Sequence, residues 1–283
     1  MSRSNLVVNY HFLRTCNYAC KFCFHVSKTS RVASIDDAKT AMDMLKSVGM
    51  TRINFSGGEP FLKPKMLGQM IRHAHDIGIS PSIVSNGSLI RKKWMDRYGH
   101  MLDALAISCD SFDPVTLFEI GRYAPSRDHL QQLHNVRDWC DMHDIHFKIN
   151  TVVCQPNKNE TLHEIEVLQP DRWKVFQCLL IDGENAGPDA LADGESMVVT
   201  DSEFESFSQR HSHIPHVAEN NTTMRNSYII MDEDLCLLDN RQGSKRQTVS
   251  VLEDVHRALS ECGFDVDAFR RRNGEWLTEK VVW

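Results

Sequence analysis

The chain is short of several things, and each shortage removes a class of protein. No stretch of its 283 residues approaches the roughly 18 consecutive apolar residues that a membrane-spanning helix needs. The start, Met1-Ser2-Arg3-Ser4-Asn5, lacks the apolar segment of a secretory leader. Basic residues are not in excess: 32 Lys and Arg face 38 Asp and Glu, for a net charge of −6. That balance argues against direct nucleic-acid binding and against a polybasic membrane binder, though not against a local basic pocket. No linker or low-complexity run divides the chain. The nine cysteines are an odd number and form no disulfide framework. Six of them, Cys109, Cys140, Cys154, Cys178, Cys236 and Cys262, are scattered and read as free thiols in a reducing cytosol. What remains, 41% hydrophobic and 25% charged, is ample for one large core or a core with a small appendage.

The other three cysteines are not scattered. Cys16, Cys20 and Cys23 fall in the run Cys16-Asn17-Tyr18-Ala19-Cys20-Lys21-Phe22-Cys23-Phe24-His25. Core cysteines would not need this local spacing. Iron–sulfur clusters are normally held by four thiolates, and no fourth cysteine is near. Three ligands would leave one iron open for chemistry. The rival is a zinc site with His25 completing a Cys3His set. A second motif, Phe55-Ser56-Gly57-Gly58-Glu59-Pro60, follows a short apolar run. Paired glycines let backbone approach a ligand closely, and an acid beside them can receive a cationic amine. A structural zinc site has no use for that arrangement.

Apolar runs alternate with amphipathic ones. The pattern predicts strands over 7–13, 52–55, 82–85, 104–108, 147–153 and 173–180. It predicts helices over 35–48, 65–77, 92–102, 130–143 and 162–168, with Ser34 as an N-cap. Strands alternating with helices argue for an α/β fold with a parallel sheet. Around Gly183 the pattern changes. Residues 1–182 read as the core, and 183–283 as a C-terminal extension packed on it and covering the active site, the two forming one compact unit. The extension predicts a helix over 202–210, a hairpin over 228–238 and a helix over 253–262. The segment 186–199 and the chain after Gly263 are expected to close over the site. In a barrel of parallel strands, chemistry sits at the strand C-termini. Both motifs obey that rule, as do Ser85-Asn86-Gly87-Ser88 and Ser108-Cys109-Asp110-Ser111.

Lys148, Arg172 and Lys174 sit in runs otherwise fit for a core. Buried unpaired cations are costly, so three on neighbouring strands call for an anion. They either pair with Asp or Glu, point outward, or form a seat for a polyphosphate. The sequence near them offers no carboxylate at matching spacing.

The cysteine and Gly-Gly-Glu motifs together resemble the radical S-adenosylmethionine (SAM) superfamily, and the likeness extends further. Asn9-Tyr10-His11-Phe12, Ser85-Asn86-Gly87-Ser88-Leu89-Ile90, Phe147-Lys148-Ile149-Asn150, Arg172-Trp173-Lys174-Val175, Ile181-Asp182-Gly183-Glu184-Asn185 and Ser227-Tyr228 are similar to the viperin-like enzymes of that superfamily, which serve antiviral defence. The resemblance implies a partial (β/α)6 barrel with a C-terminal extension. It implies a [4Fe–4S] cluster on Cys16, Cys20 and Cys23, with SAM chelated to the open iron. Phe22, Gly57, Gly58, Glu59, Asn86, Ser108 and Asn150 match SAM-contacting positions. Asn9, Lys148, Arg172 and Lys174 match the triphosphate grip, and Arg52 stands where a lysine is expected. Tyr228 matches a tyrosine near the sugar and is a candidate proton donor, with Lys148 the second.

The activity implied is conversion of a pyrimidine ribonucleotide, CTP or UTP, to its 3′-deoxy-3′,4′-didehydro form, a chain terminator. A 5′-deoxyadenosyl radical would take the C4′ hydrogen, and the 3′-hydroxyl would leave as water. A one-electron reductant is required. Vertebrate members carry an N-terminal amphipathic helix, whereas fifteen residues precede Cys16 here, so no membrane anchor and a cytoplasmic location are expected. Trp283 is the expected contact for a cytosolic iron–sulfur assembly factor. The alternatives are another radical SAM reaction, such as peptide modification, and a non-catalytic zinc-binding protein. Peptide modifiers usually carry a cysteine-rich tail, and this one has only Cys236 and Cys262.

Overall fold

The computed structural model describes residues 5–123, 128–239 and 241–274. The first half is a series of strand–helix units. They run β1 (Leu6–His11), α1 (Ile35–Ser47), β2 (Met50–Ser56), α2 (Pro64–Asp76), β3 (Ser80–Ser85), α3 (Lys92–Tyr98), β4 (Ala104–Ser108), α4 (Pro114–Ile120), α5 (His129–Met142), β5 (His146–Val153), α6 (Glu164–Leu168) and β6 (Arg172–Gln177). The second half follows with α7 (Asp201–Arg210), β7 (Val217–Glu219), α8 (Asn221–Met224), β8 (Ile229–Met231), β9 (Cys236–Asp239), β10 (Arg246–Ser250), α9 (Val255–Glu261) and α10 (Val266–Arg271).

Local chemistry sets these boundaries. Ser34 caps α1 by accepting from the Asp37 amide, and Asp36 and Asp37 in the first turn complement the helix dipole. Ala38, Ala41, Met42 and Leu45 then form the buried stripe. Asp128 caps α5 in the same way, accepting from the Gln131 amide. Thr200 and Glu203 close a reciprocal capping box on α7.

The strands lie in the order β10-β9-β8-β1-β2-β3-β4-β5-β6-β7. Strands β1 to β6 pair in parallel. The sheet is not closed, and its two edges come from the second half of the chain. β7 adds to β6, and β8 adds to β1, both in parallel. The expected six strands and the expected hairpin are therefore joined by two strands that the sequence did not mark, β7 and β10. The predicted hairpin is β8–β9, whose strands pair antiparallel. Across the mouth of the open barrel, the turn after β9 meets the loop after β6: the Asp182 amide donates to the Gly243 carbonyl at 3.0 Å. Helix α4 escaped the sequence reading because Val115 and Phe118 are exposed, so it shows no clean apolar stripe.

Side chains alternate along each strand, and this builds the site. On β5, Phe147, Ile149, Thr151 and Val153 are buried toward the helices, while Lys148, Asn150 and Val152 line an interior cavity. On β2, Ile53 and Phe55 are core, while Arg52, Asn54 and Ser56 face the cavity. Among the described residues, no helix is long and apolar enough to cross a membrane.

Candidate active site

The loop after β1 carries the three cysteines, and all three line a cavity of about 780 Å³. The loop is held from two sides. From α4, the Gly121 and Ile120 carbonyls accept from Ala19 and Lys21 at 3.2 and 2.9 Å. Gly121 has φ +87°, and a Cβ there would come within 2.2 Å of the Ala19 oxygen, so only glycine fits. From the loop after β6, Asn185 donates to the Phe22 carbonyl at 3.0 Å, and Glu184 accepts from the Val26 amide at 3.0 Å. Glu184 also holds Arg14 at 3.1 Å, and Glu233 takes the other side of that guanidinium. Glu184 and Asn185 are thus the buckle of the cysteine loop, a role the sequence did not reveal.

Burial pushes all three thiols up, Cys20 to about 12. Thiolates here need positive charge nearby. Arg122 supplies it: its guanidinium is ion-paired to the fully buried Asp110 at 2.6 Å, lies 5.8 Å from the Phe22 ring centre, and is within electrostatic reach of all three sulfurs. No motif marked Arg122 in the sequence.

Three cavity-facing thiols beside a buried cation fit a [4Fe–4S] cluster with one open iron. They do not fit the zinc alternative. His25 does not complete a ligand set: its Nδ1 lies 3.2 Å from Lys245 Nζ, and its ring packs edge-on against His11. Among the described residues, no group of three or more His, Cys, Asp or Glu is gathered around one metal position. A cluster spreads its three ligands over three irons and does not require such a gathering.

The glycine pair is built against the same loop. Gly58 donates to the Leu13 carbonyl at 2.7 Å, and Glu59 to the Thr15 carbonyl at 2.9 Å. A Cβ on Gly58 would lie 2.0 Å from the Thr15 oxygen. Gly58→Ala is therefore expected to cost at least about 1–3 kcal/mol and to lower cluster retention. Thermal unfolding and iron content measure both, and an unchanged melting temperature would refute it.

Glu59 corrects an expectation. Its carboxylate does not face the cavity. It is fully buried and accepts from the Phe61 amide, the Ser85 hydroxyl and the Asn86 amide at 2.8–3.0 Å. The acid fixes the end of β3, and what lines the cavity is Ser56, Gly57 and Gly58. Asn86, Ser108 and Asn150 do line it. The Asn86 amide nitrogen donates to Asn17 at 3.0 Å. Asn150 Oδ1 is buried without a hydrogen-bond partner, as suits a group awaiting a ligand's donor. Phe22 packs with Ile120, Cys154, Cys178 and Met197, and its carbonyl is taken by Asn185.

The cations share the same cavity. Lys148 and Arg172 are cross-strand partners, and Lys174 pairs with Asn150 one step further along. Asn9, Arg52 and Tyr228 also line the wall. Asn9 donates to the Ile229 carbonyl and accepts from Asn54.

The expectation that no carboxylate meets these cations is overturned for Lys174. Glu219, fully buried on β7, pairs with the Lys174 ammonium and accepts from the Tyr228 hydroxyl. Lys174 also donates to the Tyr228 oxygen at 2.8 Å. Arg272, just past α10, stacks on the Tyr228 ring at 3.6 Å and lies 3.7 Å from Glu219. Glu219 and Arg272 were both missed. Of the two segments expected to close over the site, the one after Gly263 gives Phe269, Arg272 and Gly274 to the wall. Residues 186–199 line none of it; Met197 packs behind Phe22 instead. Trp283 lies outside the described residues.

Comparison with known proteins places this geometry. Residues 10–165 match the radical SAM superfamily. S-adenosylmethionine-dependent nucleotide dehydratase RSAD2 of Oncorhynchus mykiss is 49% identical over 281 residues, covering 97% of this chain and 81% of that protein. A protein named S-adenosylmethionine-dependent nucleotide dehydratase from Thermoplasmatales archaeon (strain ISO4-H5) is 35% identical, over 95% of each chain. Among solved structures, Streptococcus suis SuiB bound to S-adenosylmethionine superposes with a TM-score of 0.65 at 13% identity, covering 94% of this chain and 67% of that one. At that identity the likeness is one of fold.

Proposed function

Since this chain belongs to the radical SAM superfamily and, within it, to the S-adenosylmethionine-dependent nucleotide dehydratases, we propose that it dehydrates a pyrimidine ribonucleoside triphosphate, CTP or UTP, at its sugar. The product would be the 3′-deoxy-3′,4′-didehydro nucleotide. The cofactors are a [4Fe–4S] cluster and SAM, with Cys16, Cys20 and Cys23 as the cluster ligands. When bound, they supply an electron and a carbon-centred radical that can take a hydrogen atom.

One observation carries the reading. A single cavity reaches from the three cysteines, in the loop after β1, to Arg52, Lys148, Arg172, Lys174 and Arg272, which line it together with further cations. A nucleotide spans that interval with its phosphates on the cations and its sugar toward the cysteines. The protein's task is to hold C4′ near the radical source and keep water out. Gly57, Gly58, Asn86, Ser108 and Asn150 would hold SAM. Asn9 and the cations would hold the phosphates. Tyr228 would donate a proton toward the leaving 3′-hydroxyl, and Lys174, hydrogen-bonded to its oxygen, would steady the phenolate. Lys148 is the second candidate. Peptide modification is the weaker reading, because a triphosphate concentrates charge on this group of cations as the spaced carboxylates of a peptide do not.

Anaerobic turnover with SAM, reductant and each of the four ribonucleoside triphosphates tests the proposal. The expected result is a dehydrated product from CTP or UTP. Deoxyadenosine release without any nucleotide product would refute it. We place the protein in the cytoplasm, with a one-electron reductant as its partner.

Binding should also depend on pH. Burial and neighbouring cations push the Lys174 ammonium down to about 7 and Lys148 well below its ordinary value. Phosphates favour the charged forms, so the complex holds protons that the free protein has released. Nucleotide affinity is therefore expected to fall as pH rises above about 7. Calorimetry in buffers of different ionisation enthalpy would show proton uptake. Affinity flat across this range would contradict the assignment of these lysines.

A further inference from the structure

We propose that Lys245 is a positioning residue for the cluster: it seats the cysteine loop from the C-terminal half of the chain, and its charge stabilises the cluster, the reduced form most. This rests on the reading that Cys16, Cys20 and Cys23 hold the cluster. In the sequence Lys245 follows Gly243-Ser244 and looks like an exposed turn lysine. The structure buries it. Its side chain is 6% exposed and lines the cavity, immediately before β10. The turn that carries it is tied to the loop after β6, because Asp182 donates to the Gly243 carbonyl and bridges to Ser244.

The ammonium is spent on the segment directly after Cys23. It donates to the Phe24 carbonyl and, at 3.2 Å, to His25 Nδ1, and it lies 4.8 Å from the Phe24 ring centre. His25 and Lys245 are 220 residues apart in the chain. Asn185 and Glu184 hold the loop at Phe22 and Val26, so Lys245 fills the interval between them. Its charge also falls within electrostatic reach of the Cys23 sulfur. That charge is not cancelled locally. The carboxylate paired with it, Glu184 at 3.8 Å, is shared with Arg14 at 3.1 Å and Lys28 at 3.4 Å. Glu233 is taken by Arg14. Cluster potentials follow the net charge and hydrogen bonding around the sulfurs. Three thiolates and an added electron are all negative, so a fixed ammonium favours both cluster binding and reduction. At this range through a protein interior, one unit charge is worth roughly tenfold in the reduction equilibrium.

The test is an anaerobic redox titration of the reconstituted enzyme, without SAM or nucleotide, read by electron paramagnetic resonance. It compares the wild type with Lys245→Met, Lys245→Gln and Lys245→Arg, with iron content and melting temperature measured alongside. Both neutral variants are expected to be reduced roughly tenfold less at a given poise, a shift of about 59 mV to more negative potential. Lys245→Arg should stay near the wild type. A neutral variant with a full cluster and the wild-type potential overturns the inference, makes Lys245 a structural staple and leaves the cluster reading standing. Should both neutral variants melt cooperatively yet hold no iron, Lys245→Arg decides. Iron kept by it shows that the charge is needed to hold the cluster at all, and iron lost from it too overturns the role of charge. Wild-type protein that takes up no iron overturns the cluster reading itself.

Discussion

Cys20→Ala is expected to yield a protein that purifies without a cluster and releases no deoxyadenosine from SAM, a complete loss. Cys16→Ala and Cys23→Ala should behave alike, because each sulfur faces the cavity and no other described cysteine lines it. Cys109→Ala, Cys154→Ala and Cys178→Ala are the controls. All three sit at strand ends near the site and are fully buried. Cys154 and Cys178 pack behind Phe22, so their loss removes apolar volume and should lower stability by about 1 kcal/mol or more. They should nevertheless keep their iron. Iron and sulfide content, with the broad absorbance near 400 nm, reads the outcome. Loss of iron in a control variant that still melts cooperatively would mean a fourth thiolate and no open iron.

Much of this was legible in the sequence, for a physical reason. The six principal strands carry enough apolar residues, alternating with the polar ones that face the cavity, to stand out between amphipathic helices, and that strand–helix alternation announces a parallel sheet. The cysteine loop and glycine pair are local motifs whose function is encoded in spacing. What could not be read depends on partners remote in sequence. β7 is three residues long with an exposed centre, so nothing marks it as a strand; yet its pairing with β6 is what sets Glu219 beside Lys174. Arg272 ends an Arg270-Arg271-Arg272 run that reads as a solvated helix end. Only the packing of α10 turns the last of the three onto Tyr228. Glu59 was visible, but its direction was not. A carboxylate beside two glycines can face a ligand or satisfy backbone amides, and here the Phe61 and Asn86 amides take it.

Lys174→Ala should weaken triphosphate binding roughly ten- to hundredfold, the loss of one charge-assisted contact of about 1.5–3 kcal/mol. SAM binding should be largely spared, since its expected contacts lie on the cysteine loop, Gly57, Gly58, the ends of β3 and β4, and Asn150, and of these contacts Asn150 alone neighbours Lys174 across the strands. Glu219 makes the sign of a second experiment informative. In the native cavity its carboxylate is neutralised by Lys174 and Arg272. With Lys174 gone, a buried negative charge remains beside the phosphates, and part of the measured loss is its repulsion. Adding Glu219→Gln should therefore restore some of the affinity, so that the double variant binds the triphosphate more tightly than Lys174→Ala alone. A nucleoside without phosphates should bind poorly to every variant and show no such recovery. Two losses that simply add would mean that Glu219 and the phosphates never compete for one ammonium. The pair would then be a structural salt bridge, and the phosphate seat would have to be carried by Arg52, Lys148 and Arg172 without it.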